Sequence, residues 1–199
     1  MKSRRQFLYS GLTTALAVHS KDLMAATPYY MPEEGAPHTR TWMAYGAQRS
    51  IWGRRLLNPV RENLVLIANT IAEFEPVTML VRPEERKDLQ KEVSEAVTLL
   101  EVALDDLWIR DTGPTFVLSE AGEKAAVDFN FNGWGNKQAH RQDQRVAAFV
   151  AEKAGVPRIT TELSLEGGCS EVDGGGTAII TESCVLNQNR NPGVNKAAF

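Results

Sequence analysis

After Asn58, apolar residues recur at three- and four-residue steps. Val60, Leu64, Ile67, Ile71 and Phe74 fall on one helical face. Asn58 is a capping residue, and Pro59 suits the first helical position, where its missing N–H costs nothing. The pattern therefore predicts a helix from Asn58 that stops before Pro76. Val77 to Val81 is a short apolar run and reads as a buried strand. A second helix is expected from Pro83, with Leu89, Val93 and Val97 as its stripe, and a strand over Leu99 to Leu104. Thr115 to Leu118 and Ala125 to Phe129 read as two strands around a turn at Gly122. Gln144 to Ala154 is helical and ends at Gly155 and Pro157. Cys169 to Val172 and Thr177 to Thr181 flank Asp173-Gly174-Gly175-Gly176, a hairpin signal, and Val185 and Leu186 form a last short strand. Hairpins and helical crossovers mix throughout, which places the chain in the α/β class.

The 199 residues are 43% hydrophobic and 24% charged, the balance of a globular protein, and no apolar run is long enough to span a bilayer. The net charge of -3 is unevenly spread. Residues 1–26 hold Lys2, Arg4, Arg5 and Lys21 against Asp22; without them, 18 basic and 24 acidic residues remain, a net charge of -6. An acidic body argues against a nucleic-acid binder and suits a cationic small substrate. The start, Ser3-Arg4-Arg5-Gln6-Phe7-Leu8, resembles a twin-arginine export signal. An apolar stretch from Leu8 to Val18 and small residues at Ala25 and Ala26 complete the order of an exported precursor. Residues 1–26 are thus set aside as a signal and 27–199 taken as the folded part. The expected location is the periplasm, with a cytoplasmic N-terminal helix as the alternative. Cys169 and Cys184 read as small buried apolar residues.

Three segments could carry chemistry. Asp105-Asp106-Leu107-Trp108-Ile109-Arg110-Asp111-Thr112-Gly113-Pro114 puts three carboxylates, an Arg and a Trp between two strands. It can face a ligand, or be a turn in which Arg110 pairs with a neighbouring acid. Leu165-Glu166-Gly167-Gly168 is either a carboxylate held where backbone comes close or an exposed loop. Phe129 to Gly135 alternates aromatics with Asn, as a small-molecule pocket or partly buried core would. Asn187 to Pro192 reads as a polar loop.

Taken in order, these segments, with Met31-Pro32-Glu33-Glu34, Thr41-Trp42-Met43-Ala44 and Asn189-Arg190-Asn191-Pro192, resemble the agmatine deiminases of the Porphyromonas-type peptidyl-arginine deiminase family over about residues 31–196. The resemblance implies part of a five-bladed, pseudo-symmetric α/β propeller, two to three of its five ββαβ units. It also implies hydrolysis of a guanidine C–N bond with no metal or organic cofactor. Agmatine would become N-carbamoylputrescine and ammonia, a step in putrescine synthesis, through a covalent thiouronium on a cysteine. The family's guanidinium-binding aspartate maps onto Asp111 and its Glu-Gly-Gly glutamate onto Glu166. Asp105, Asp106, Trp108 and Trp134 are the remaining candidates for contact with substrate. A guanidinium is planar, always charged and carries five donors in a fixed fork, so paired carboxylates suit it.

The chain also departs from the family. The catalytic His of a Gly-His-Val-Asp segment and the late nucleophilic Cys do not occur in these 199 residues, which read as the N-terminal part of a longer enzyme. Gly35 and Gly46 depart from the family's pattern as well. With the export-like start, this leaves free or peptide-borne arginine as alternative substrates, and a non-catalytic periplasmic module for guanidino ligands as an alternative function. No membrane anchor is expected, and a homo-oligomer is left open. Unpaired strand edges predict self-association of the isolated chain. Light scattering that finds a monodisperse, cooperatively melting monomer would contradict this.

Overall fold

Val77–Val81 is the strand on which the fold is built. All five of its residues are buried, in keeping with an unbroken apolar run in the middle of a parallel sheet. In the computed structural model, which describes residues 28–197, this strand (β3) lies between β2 (Thr41–Tyr45) and β4 (Val97–Glu101), parallel to both. One face, through Val77, Met79 and Val81, packs on Ala68, Leu89 and Val93. The other, through Leu80 with Ala44, packs on Leu104, Val146 and Val150.

Helix α1 (Arg49–Ile71) connects β2 to β3, and the short α2 (Arg86–Leu89) lies between β3 and β4. The second sheet has the order β1 (Tyr29–Tyr30), β5 (Thr115–Ser119), β6 (Lys124–Asp128), β7 (Arg158–Thr160). In it β5 and β6 are antiparallel, α5 (Val146–Ala154) crosses over, and β7 returns parallel to β6. This is one complete ββαβ unit, whereas β2 to β4 follow a βαβαβ order. The hairpin of β8 (Ser170–Val172) and β9 (Ala178–Ile180) leads into α6 (Glu182–Val185). Two further single turns, α3 (Ile109–Thr112) and α4 (Gly133–Asn136), belong to the candidate site.

The departures from the pattern have local causes. Helix α1 starts nine residues before Asn58, with a break at Gly53 (φ 65, ψ -174), and Pro59 lies inside it. Its early turns are mostly exposed and carry Arg49, Arg54 and Arg55, so they give no apolar periodicity. The expected helix after Pro83 is a 3-10 turn (Pro83–Glu85) and α2 alone. Leu89, Val93 and Val97 are still buried together, but Val97 already opens β4, because Ser94 breaks off by donating its N–H to Asn69. Val185 is helical rather than extended and fills a small core with Leu165 and Cys169. Cys169 and Cys184 are free thiols, the first buried and the second half-buried. The export-signal reading falls on residues 1–26, outside the described residues. No helix of the described residues is long and apolar enough to cross a membrane.

The carboxyl ends of β2, β3 and β4 are drawn together by arginines. Arg82 donates from Nη1 to Gly46 O (2.9 Å) and Leu104 O (3.1 Å), from Nη2 to Ala47 O (3.0 Å), and pairs with Glu85. Arg61 also reaches Ala47 O and Glu85. Here the loop after β2 touches the segment after β4: a Cβ on Gly46 would stand 1.9 Å from the carbonyl oxygen of Asp106. Backbone opposes backbone at that point, so no side chain can yield. Gly46→Ala is expected to destabilise the fold by about 3 kcal/mol. Gly175→Ala, whose methyl would sit 3.5 Å from Asp173, should change stability by less than about 0.5 kcal/mol. Urea midpoints of the two variants test the contrast.

Candidate active site

The segment after β4 turns outward at Leu104 and closes the turn α3 before β5 begins. Asp106 points inward from it and is 1% exposed. Its carboxylate pairs with no cation among the described residues. Oδ1 accepts from Trp52 Nε1 (2.7 Å), and Oδ2 from Trp108 Nε1 (3.0 Å) and Gln138 Nε2 (3.2 Å). Neutral donors thus carry a buried charge, and the same bonds fix three side chains from three parts of the chain. Trp52 and Trp108 stack at 6.1 Å, and Trp134 meets Trp108 edge-on at 6.4 Å and Phe131 at 4.9 Å.

Asp105 faces the other way. Its Oδ2 accepts the backbone N–H groups of Gln142 (2.6 Å) and Asp143 (3.2 Å). Asp143 reciprocates, taking the N–H groups of Asp105 (2.8 Å) and Asp106 (3.0 Å). The two loops are thereby locked together beneath the aromatic cluster.

Asp111 lies in α3. Its Oδ2 accepts from Trp134 Nε1 (3.1 Å) and its Oδ1 from the N–H of Gly168 (3.0 Å). Side chains at Gly167 and Gly168 are excluded by this approach: a Cβ would come within 2.3 Å of Arg110 O and 2.6 Å of Asp111 Oδ1 respectively. Of the two readings of Glu166-Gly167-Gly168, close backbone approach is the one the structure shows. Glu166 itself is buried. Its Oε1 takes both Nε (2.7 Å) and Nη2 (2.6 Å) of Arg190, while Oε2 is buried without a partner among the described residues. Arg110 turns away from this site and pairs with Glu34 and Glu171.

Trp134 is delivered by a strained loop. Asn130, Gly133, Trp134, Gly135 and Asn136 all have positive φ, between 52° and 81°. That conformation is costly for a bulky residue and persists only where the surroundings dictate it. The surroundings here are His140, against which Gly133 fits, and Asn189, against which Gly135 fits. Asn132 adds a bond from Nδ2 to Asn189 O (3.1 Å).

The structure therefore joins Asp111, Trp134, Trp108 and Asp106 through shared bonds and ring contacts, brings the backbone after Glu166 against Asp111, and sets the Asp105 carboxylate on neighbouring backbone. Sequence reasoning missed Trp52, Gln138 and Asp143. Trp52 sits before the periodic part of α1, and no pattern links it to Asp106, 54 residues away. Arg190 stood in a recognised motif but read as loop. Neither thiol is placed as a nucleophile: Cys169 is packed among apolar neighbours, and burial pushes its pKa up. His140 bonds Gln138 O through Nδ1, and His38 pairs with Glu75. Among the described residues, no group of three or more His, Cys, Asp or Glu is arranged to hold a metal ion.

Comparison with known proteins identifies the family and the fold. The model of the Porphyromonas-type peptidyl-arginine deiminase family matches residues 30–199, and the chain belongs to that family. It is 40% identical over 174 residues to the agmatine deiminase of Ectopseudomonas mendocina, covering 84% of this chain and 47% of that one. It is likewise 40% identical over 174 residues to the agmatine deiminase of Pseudomonas putida strain KT2440, with the same coverage. Among solved structures, the agmatine deiminase of Enterococcus faecalis superposes with a TM-score of 0.81 at 34% identity, over 85% of this chain and 48% of that one. The α/β fold is shared with these proteins. The chain spans about half the length of the curated relatives it matches.

Asp143 gives the site a pH dependence. Burial, reinforced by the charges of Asp105 and Asp106, raises its pKa from 3.8 to about 6 against the pull of the two N–H donors. A raised acid favours the folded state most when protonated. Its contribution is complete below pH 3.8 and is lost as pH rises through 6. The stability of the parent relative to Asp143→Asn should therefore be greatest near pH 4 and fall by on the order of 2–3 kcal/mol by pH 7. Urea unfolding at both pH values measures it.

Proposed function

We propose that the protein hydrolyses the C–N bond of a small guanidino compound, with agmatine the first candidate, and that the residues described above supply guanidinium recognition. The observation that carries this reading is the corner at Gly167-Gly168. Asp111 accepts the N–H of Gly168 there and pairs with no cation among the described residues, and Glu166, two residues before Gly168, keeps a buried oxygen without a donor among them. A guanidinium offers five N–H donors in one plane, enough to serve both carboxylates at once. Held there, its central carbon would be presented in a fixed plane for attack by a thiolate. Ammonia would leave, and water would then hydrolyse the covalent intermediate. The aromatic rings of Trp108 and Trp134 beside the carboxylates suit the stem and charge of such a ligand.

The nucleophile and the proton-transferring histidine are not assigned to residues described here, since both thiols lie in a small apolar core and both histidines are committed elsewhere. The 199-residue chain is accordingly expected to bind agmatine in calorimetry without releasing ammonia. Asp111→Asn and Glu166→Gln should each weaken binding by at least about tenfold. Agmatine affinity untouched by either substitution would overturn the recognition assignment. Ammonia release by this chain alone, abolished by Asp111→Ala, would overturn the assignment of recognition without attack.

A further inference from the structure

A second cavity, of about 290 Å³, opens at the other end of the sheets. It meets β2 at Trp42, with Arg40 just before that strand, β5 at Leu118 and β6 at Lys124. The candidate active site instead adjoins the far ends of these strands, after Tyr45, before Thr115 and after Asp128. Its walls are apolar and largely flat: Trp42, Phe116, Leu118, Val156, Pro32 and Pro37. Its mouth is cationic, with Arg40, Lys124 and Lys153.

The charges at this mouth are unequal in their commitments. Lys153 is paired with Glu152 at 2.9 Å and lies 5.3 Å over the ring of Phe149. His38 is held by Glu75, which also accepts from Thr41, so that this carboxylate, like Glu152, is already compensated. Arg40 donates from Nη1 to Thr78 Oγ1 (3.0 Å) and pairs with no carboxylate among the described residues. Lys124 likewise pairs with no carboxylate among them. Two uncompensated cations thus stand over an apolar, ring-lined recess in a protein whose net charge is negative. A cavity of this size holds a single ring with a short substituent, below the range of drug-sized sites. The residual guanidinium donors of Arg40 suit the two oxygens of a carboxylate.

We propose that this cavity binds a small aromatic carboxylate, its ring between Trp42 and Phe116 and its carboxylate on Arg40 and Lys124. The ligand class is opposite in charge to a guanidino substrate, and the two sites lie at opposite ends of the same strands, so agmatine does not compete for it.

The test is ligand-observed NMR and calorimetry on the purified protein with benzoate, using benzamide and acetate as the probes that lack the charge or the ring. Benzoate should bind with a Kd on the order of 1 mM, and benzamide and acetate at least about fivefold more weakly. Arg40→Gln and Lys124→Gln should each weaken benzoate about fivefold, while Lys87→Gln, on α2, leaves it unchanged. Ala154→Trp, which places an indole in the cavity from an exposed position at the end of α5, should abolish binding with the thermal midpoint preserved. Absence of benzoate binding at about ten times that Kd would overturn the proposal. So would equal affinity for benzoate and benzamide, or binding that survives both Lys124→Gln and Ala154→Trp.

Discussion

A buried carboxylate without a cation must be solvated by the protein itself, and Asp106 shows what that requires. Its charge is met by indole and amide N–H groups from α1, from its own loop and from the segment before α5. Removing any one of these donors would leave a desolvated charge less well met, so the three elements are tied to one another through a single side chain. The backbone around it is equally constrained, with Gly46 against the carbonyl of Asp106 and Asp143 bonded to its N–H. The aromatic wall of the candidate site is in this sense a consequence of how one acid is kept underground.

That dependence also explains the division of labour among the acids. Asp105, Asp106 and Asp143 are spent on structure, their oxygens directed at N–H groups of the protein. Asp111 and Glu166 are different. Asp111 accepts one N–H on each oxygen, from an indole and a backbone amide, and pairs with no cation among the described residues, while Glu166 is held by Arg190 through one oxygen. On the proposed reading Asp111 and Glu166 are the carboxylates that meet the ligand, a division that composition and spacing could not make for five acids so close in type.

The sequence made the parts with strong local signals legible. The run Val77–Val81 emerged with its expected bounds, β5 and β6 formed a hairpin across Gly122, and α5 ended at Gly155 in the left-handed conformation (φ 67). The close approach at Gly167-Gly168 was one of two readings the sequence left open, since spacing alone does not separate it from an exposed loop. Elements whose apolar content is supplied by distant partners were not readable. β1 and β7 are two and three residues long, and α2 is a single turn whose buried residues mimic a helical stripe. At the site, Trp52 and Asp143 carry no signal of their own, since their importance lies wholly in what they touch across the fold.

Chain separation gives the corner a further property. Gln48 and Asp105, Asn132 and Asn189, and Gly168 and Asp111 are each 57 residues apart in sequence, and all three pairs are bonded. Contacts of that span repay the entropy of loop closure only after the sheets that bring their ends together have formed. The corner is therefore expected to form after the local pairings such as β5 with β6, with the turn carrying Trp134 completed when the Asn187–Asn191 loop docks. Changes there will show chiefly in how quickly the native state opens, leaving the rate of its formation nearly as before. The recognition surface can thus vary over evolution without slowing the folding of the scaffold that bears it.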